Sequence, residues 1–352
     1  MGFEAGRFVH ILTTLFLLFV APIAAVAQPV ATIASLEGRP EVARDNRFLL
    51  SDIEQGFRFE KYDYIETNEN TIVSLDVLPR GGSPGRIIVE STTALILLGY
   101  AEEVDGEAPL EVELFTGSIS VSSAPVVVHR PRVSIDGTNA EFSVISGPGG
   151  GTLVIATDGI VSVTTDENVQ LFAEAGDAVE IGMVGDLART REYERTTAGS
   201  FPLFWLAERR SLLDSCIESH TEVALRRYDE AVAAWEDAYA ALISERDALD
   251  EWAEQDRRGR VESIAAEDYA RIEVIMEEAR RQLVAYRHSV ATLESLAETQ
   301  PLIVAEVSVP SGLDGAQALQ EIEDERLQMG RWLRQTLYSL KLFEERPQAL
   351  SM

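Results

Sequence analysis

The feature that most constrains this chain is a change of hydrophobic period near residue 200. Over residues 30–184, short runs rich in Val, Ile and Thr alternate apolar and polar residues, as in 71–77 (TIVSLDV) and 110–115 (LEVELF). Beyond a polar stretch at 189–200, apolar residues recur at spacings of three and four. A period of two belongs to a strand with one buried face, and a period near 3.6 to an amphipathic helix. The expectation is an α+β chain of two domains. An all-β unit spans 30–184, a linker 185–202, and an antiparallel, coiled-coil-like helical unit 203–346. At 352 residues the chain is long enough for each unit to bury its own core.

The β half is centred on residues 133–144 (VSIDGTNAEFSV), a strand that breaks at Asp136-Gly137 and resumes through Phe142 and Val144. Asp-Gly is a strong turn signal, because both residues tolerate the positive backbone angles of a tight reversal. Further runs lie at 118–121, 126–128, 152–155 and 159–163, with turn clusters at 80–85, 105–106, 146–151 and 166–168 between the strands. Short strands at regular spacing predict a sandwich, barrel or β-solenoid rather than an α/β sheet. Phe142, flanked by small or polar residues, is the expected core anchor.

The order of these motifs resembles the FecR domain, the periplasmic module of iron-responsive signal-transducing regulators and of many exported bacterial proteins. The resemblance is carried by LEG at 36–38 with Glu41-Val42, YDYIET at 62–67, FTGSISV at 115–121, IDGTNAEFSV at 135–144, GIVSV at 159–163 and AGDAV at 175–179. In the fourth of these, Asn139 and Ala140 stand between Gly-Thr and Glu-Phe, where the family run is tighter. The resemblance covers about half the chain. It implies a compact, solenoid-like β fold whose glycines, Gly117, Gly137, Gly159 and Gly176, make the corners.

In the second half a first stripe runs from Leu213 through Ile217, Ala224, Tyr228, Trp235 and Leu242 to Trp252, and is broken around Gly259. A second and cleaner stripe contains Tyr269, Ile272, Met276, Leu283, Tyr286, Val290 and Leu293, and is expected to end near Gln300-Pro301. Residues 302–309 read as extended. A third helix is expected over about 315–344, with Leu319, Ile322, Met329, Leu333, Leu337 and Leu340 inward. Such stripes pair helices within one chain or between copies, so a homo-oligomer through the helices is an open expectation.

The formal net charge is −29, from 59 acidic and 30 basic residues. A chain so charged is repelled by phosphate backbones and anionic lipid, which excludes nucleic acid as an expected partner. Residues 1–27 read as a signal peptide, with Arg7, an apolar run over 8–20 and an Ala25-Val26-Ala27 cleavage pattern. Export to the periplasm or beyond follows, and a membrane partner only if that segment is retained. Cys216 is the only cysteine, so no intrachain disulfide forms, and its neighbours suggest a buried helical position.

Catalytic and metal-binding constellations are not found. His129, His220 and His288 lack a metal-ligand companion at i+4, and neither H-E-x-x-H nor G-x-S-x-G occurs. The glycine-rich run at 147–151 has no Lys-Ser/Thr after it and reads as a hairpin connection. Glu277-Glu278 and Glu321 with Asp324 read as solvated helix faces, and 166–168 (DEN) lacks the rest of a calcium loop. No catalytic, cofactor-binding or metal-binding residue is assigned, and no cofactor. The function expected is that of a non-enzymatic FecR-domain protein. Its β unit binds or scaffolds an envelope component, protein or glycan, while the helices serve assembly or a second partner. The alternative is a membrane-retained sensor related to FecR-type signalling.

Overall fold

The computed structural model describes residues 28–49, 53–78, 84–103, 108–138, 140–182, 188–193 and 199–347, so the expected signal peptide lies outside the described residues. The fold is α+β, with two nine-stranded open sheets followed by a long helical region.

The first sheet runs β4 (Arg58–Phe59), β1 (Ala31–Glu37), β6 (Ile72–Val77), β7 (Gly85–Val89), β10 (Ser118–Ser122), β13 (Glu141–Ser146), β14 (Thr152–Asp158), β17 (Asp177–Ile181), β18 (Ala188–Glu192). The second runs β3 (Arg47–Leu49), β2 (Glu41–Arg44), β5 (Tyr64–Glu66), β8 (Ala94–Tyr100), β9 (Leu110–Thr116), β11 (Val126–Arg130), β12 (Val133–Asp136), β15 (Ile160–Thr165), β16 (Gln170–Glu174). From β5 onward the strands of each sheet follow sequence order, so the chain climbs one stack while crossing repeatedly between two faces. Most excursions into a sheet consist of two strands, and the chain returns antiparallel. The excursion through β10 is a single strand, so β11 lies parallel to β9. Inward-facing Val73, Leu75, Ile87, Val112, Ile119, Phe142, Val144 and Val163 fill the space between the sheets. Fully burying each such side chain contributes about 1.5–3 kcal/mol.

Glycines mark where the chain changes sheet. Gly117, between β9 and β10, has φ +79°, and a Cβ there would lie 2.2 Å from Thr93 Oγ1. The Asp136-Gly137 corner differs from the expectation of a positive-φ reversal. Neither residue has positive φ, and the chain passes from β12 in the second sheet to β13 in the first. Asp136 shapes this corner through its carboxylate, whose Oδ1 accepts from the backbone N–H and the hydroxyl of Thr138. Gly137 is needed for space, since a Cβ would stand 2.0 Å from Cε1 of the buried Phe142 ring.

The stretch 185–202, read as a linker, holds β18, which pairs along β17 and extends the first sheet. The helices are α1 (Phe201–Ser244), α2 (Arg246–Arg257), α3 (Ala266–Thr299), α4 (Pro301–Glu306) and α5 (Gly315–Glu344). Two local expectations are corrected. Residues 301–306 are helical rather than extended, because Pro301 sits in the first turn, where its missing N–H has no intrahelical partner to lose. Cys216 is half-buried rather than buried, at a kink in α1 where its φ of −138° departs from helical geometry. Asp314 caps α5 in a reciprocal capping box with Gln317.

The stripe residues Leu283, Tyr286, Val290 and Leu293 of α3 are buried within the chain against α1 and α5. The same core takes in Tyr64, Ile96, Leu98 and Phe115 from the outer face of the second sheet. The helical layer is thereby packed onto that sheet. The start of α1 covers the other side of the sandwich, where Trp205 is buried against Ile145, Leu153, Ile155 and Ala178 of the first sheet. No helix among the described residues is long and apolar enough to cross a membrane.

Candidate functional site: a cleft at the seam of sheet and helices

Alternation along β9 sends Leu110, Val112 and Leu114 into the sandwich and leaves Glu111, Glu113 and Phe115 facing the helices. Glu113 meets His288 of α3, with Nε2 2.6 Å from Oε1, and both side chains are buried. Burial pushes the His288 imidazole below its ordinary range, against the pull of Glu113, and the guanidiniums of Arg130 and Arg287 act in the same direction as burial. The neutral ring donates Nε2–H to the carboxylate.

Arg130 ends β11 at a position whose parity faces between the sheets, where a cation is costly. It survives there by clamping the two sheets together. Nη1 donates to the carbonyls of Leu114 and Phe115 at 2.9 and 2.5 Å, Nη2 to Ser146 Oγ at 2.9 Å, and Nε to Thr152 Oγ1 at 3.4 Å. All four acceptors are neutral. Burial lowers this guanidinium to about 10, with the charge of Glu113 opposing the shift.

These groups border a cleft of about 670 Å³ between α1, α3 and the ends of β9 and β11. Ala224, Ala231 and Ala234 of α1 and Ala285 of α3 leave the space open, and Arg132, Arg227 and Arg281 add three further guanidiniums. Arg132 bonds Asp166 at 2.6 Å and Arg281 bonds Glu278. Burial lowers the Arg227 guanidinium, and the charge of Arg132 lowers it further. A second hollow of about 400 Å³ beside the Gly147 turn shares Arg130, His288 and Thr292 with the first.

A separate polar cluster ties α5 to the β unit. Lys341 Nζ reaches Asp45 Oδ1 at 2.7 Å and Glu60 Oε2 at 2.8 Å, and Glu344 accepts from Lys61 and Tyr62. Beside them Arg44 bonds Asp63, whose carboxyl is pushed up to about 6 by burial against the opposing pull of Arg44.

Of the residues weighed in the sequence, only His288 reaches the cleft. His129 lies 3.3 Å from Glu111, and His220 is half-buried with Nδ1 3.0 Å from the Cys216 carbonyl. Asp166 pairs with Arg132, Glu278 with Arg281 and Gln282, and Asp324 with Gln320. The 147–151 run connects β13 to β14, and Gly149 N–H donates to Ser295 Oγ of α3. Among the described residues no group of three or more His, Cys, Asp or Glu side chains could hold a metal ion. The residues that do converge, Glu113, Arg130 and His288, come from three elements, and none stands out in its own segment.

No protein-family model and no curated protein matches the chain. It is similar to two crystal structures of a protein provisionally assigned as an anti-sigma factor from Parabacteroides distasonis ATCC 8503. The first shows 14% identity and a TM-score of 0.32 over 39% of this chain and 63% of that one. The second shows 11% identity and a TM-score of 0.28 over 37% of this chain and 64% of that one. The similarity spans less than two thirds of either chain, and at these scores it carries no argument about function.

Proposed function

We propose that the chain is an exported, non-enzymatic binding protein of FecR-domain type. It holds or scaffolds an envelope component, protein or glycan, at the seam between its β unit and its helical layer. The observation that carries this reading is the open, arginine-lined cleft to which both units contribute. Burying the Arg130 guanidinium beside a cavity is unfavourable for folding alone, so such a cavity is a natural place for a ligand. The ordered FecR-like motifs and the signal-peptide pattern of residues 1–27 support the compartment. The test is in-cell crosslinking of the tagged protein, with partner identification by mass spectrometry and sequencing of its N-terminus. A mature N-terminus at Gln28, captured with envelope proteins or wall fragments, is the expected result. A retained N-terminus with an inner-membrane regulator attached would replace this reading with signalling.

A further inference from the structure

The arginines of the seam cleft are unusual for this chain. Acidic residues outnumber basic ones 59 to 30 overall, yet the cleft is lined by four arginines and two glutamates, Glu113 and Glu230. The arginines are brought there by separate elements, Arg130 from the end of β11, Arg132 from the turn after it, Arg227 from α1 and Arg281 from α3. Arg132 and Arg281 are held by carboxylates outside the lining.

Arg130 is different in kind. Its side chain is only 5% exposed, and no carboxylate hydrogen-bonds it. A guanidinium has five N–H donors, and here four meet carbonyl or hydroxyl oxygens, leaving one on Nη2 without an acceptor among the described residues. The nearby carboxylate, Glu113, already accepts from His288. Buried charges are ordinarily paired, so a buried guanidinium bonded only to neutral groups at a cavity wall is one half of an ion pair. Ala224, Val284 and Ala285 give the cleft an apolar stretch, flanked by the polar Gln282, Ser289 and Thr292.

We propose that this cleft binds an anionic ligand, a carboxylate or phosphate group carried on an apolar body, with Arg130 as its buried partner and Arg227 and Arg281 nearer the rim. The inference rests on the binding reading above and names the chemistry of what is bound. A glycan or peptide ligand engages through its acidic group.

The test is isothermal titration of the purified full chain with hexanoate, hexyl phosphate, 1-hexanol and hexylammonium, four probes that share one apolar body. At least one anion should bind tenfold or more tightly than the alcohol, with no detectable binding of the ammonium. Whichever anion binds tighter identifies the class of head group. Arg130→Gln should abolish the preference. Because it also unclamps the sheets, the double variant R227A/R281A serves as the control that keeps the fold. It should weaken anion binding at least tenfold with an unchanged melting midpoint. Alcohol binding as tight as both anions, or full anion affinity in R227A/R281A, overturns the inference. Loss of anion binding with envelope capture intact removes this inference alone, whereas loss of both removes the binding reading as well.

Discussion

His288 Nε2 lies 2.6 Å from Glu113 Oε1, and this pair joins the helical layer to the second sheet through groups buried on both sides. The imidazole is held neutral, so the folded protein takes up this proton less readily than the unfolded chain. By linkage, stability falls as pH drops below the unfolded histidine value of about 6.5. The groups facing the ring are Glu113 from β9, Arg130 from β11 and Arg287 from α3, and the two cations reinforce the direction. His288→Gln keeps a donor for Glu113 and removes the titration. Its stability, from urea unfolding between pH 7 and 5, should lack a slope of up to about 1.4 kcal/mol per pH unit present in the parent. Identical slopes in the two proteins would sink the assignment.

Asp63 should bend the same profile the other way. Its folded carboxyl is raised to about 6, above an unfolded value of about 3.9. Between those values the folded state holds more protons, so this group destabilises as pH rises from 4 to 6. Asp63→Asn retains hydrogen-bonding capacity toward Arg44 and removes the term. The variant's stability should gain on the parent's as pH rises through that window. A gain on lowering pH instead would show that the Arg44 pair, not burial, governs the site.

The corner between β12 and β13 gives a steric test. At Gly137 a Cβ would lie 2.0 Å from the Phe142 ring, so Gly137→Ala should lose about 1–3 kcal/mol through overpacking. Adding Phe142→Leu withdraws the ring edge, and the double variant should be more stable than the sum of the two single losses predicts. Strict additivity in the double-mutant cycle would refute the contact.

What could be read from the sequence divides along these same residues. Strand alternation and helical stripes were legible because each element buries one face, and that periodicity survives in one dimension. The importance of Gly137 was legible too, but its reason was not, since the need arises from the Phe142 ring folding back rather than from backbone angle. His288 stood off the α3 stripe because α3 buries two faces, one against helices and one against β9, and a single-stripe reading sees only the first. Arg130 falls two residues past the strand run read at 126–128. Its role depends on carbonyls from β9 and hydroxyls from β13 and β14, which only the stacking of sheets brings within reach. The strand β18 was hidden because its outward residues, such as Arg189 and Arg191, are charged.

Those two arginines lead to Glu180, a carboxylate 1% exposed on β17. Arg189 reaches it at 2.8 Å, Arg209 of α1 at 2.7 Å and Arg191 at 3.4 Å. Burial pushes this carboxyl up, but Arg189 and Arg209 more than offset it, holding it below the ordinary range. Glu180 thus links the edge strand to the start of α1. Glu180→Gln should lose roughly 2–4 kcal/mol, less than a fully buried pair because the guanidiniums reach solvent. A loss under about 0.5 kcal/mol, the scale of ordinary surface substitutions, would mean that these contacts do not hold the edge.

The helical layer gives the last and largest test. Leu283 is buried inside the core shared by α1, α3 and α5, and the same core includes Tyr64, Ile96 and Phe115 of the second sheet. Leu283→Asp places an unpaired carboxylate there and should lose more than about 4 kcal/mol, enough to unfold the layer. Because the stripe is buried within one chain, helical circular dichroism should collapse while the parent's hydrodynamic size is already that expected from packing within one chain. Detaching the layer also uncovers Tyr64 and Phe115, so the variant should bind a hydrophobic dye and lose the pairing of Glu113 with His288. Unchanged helicity with a halved hydrodynamic mass would instead place Leu283 between copies of the chain.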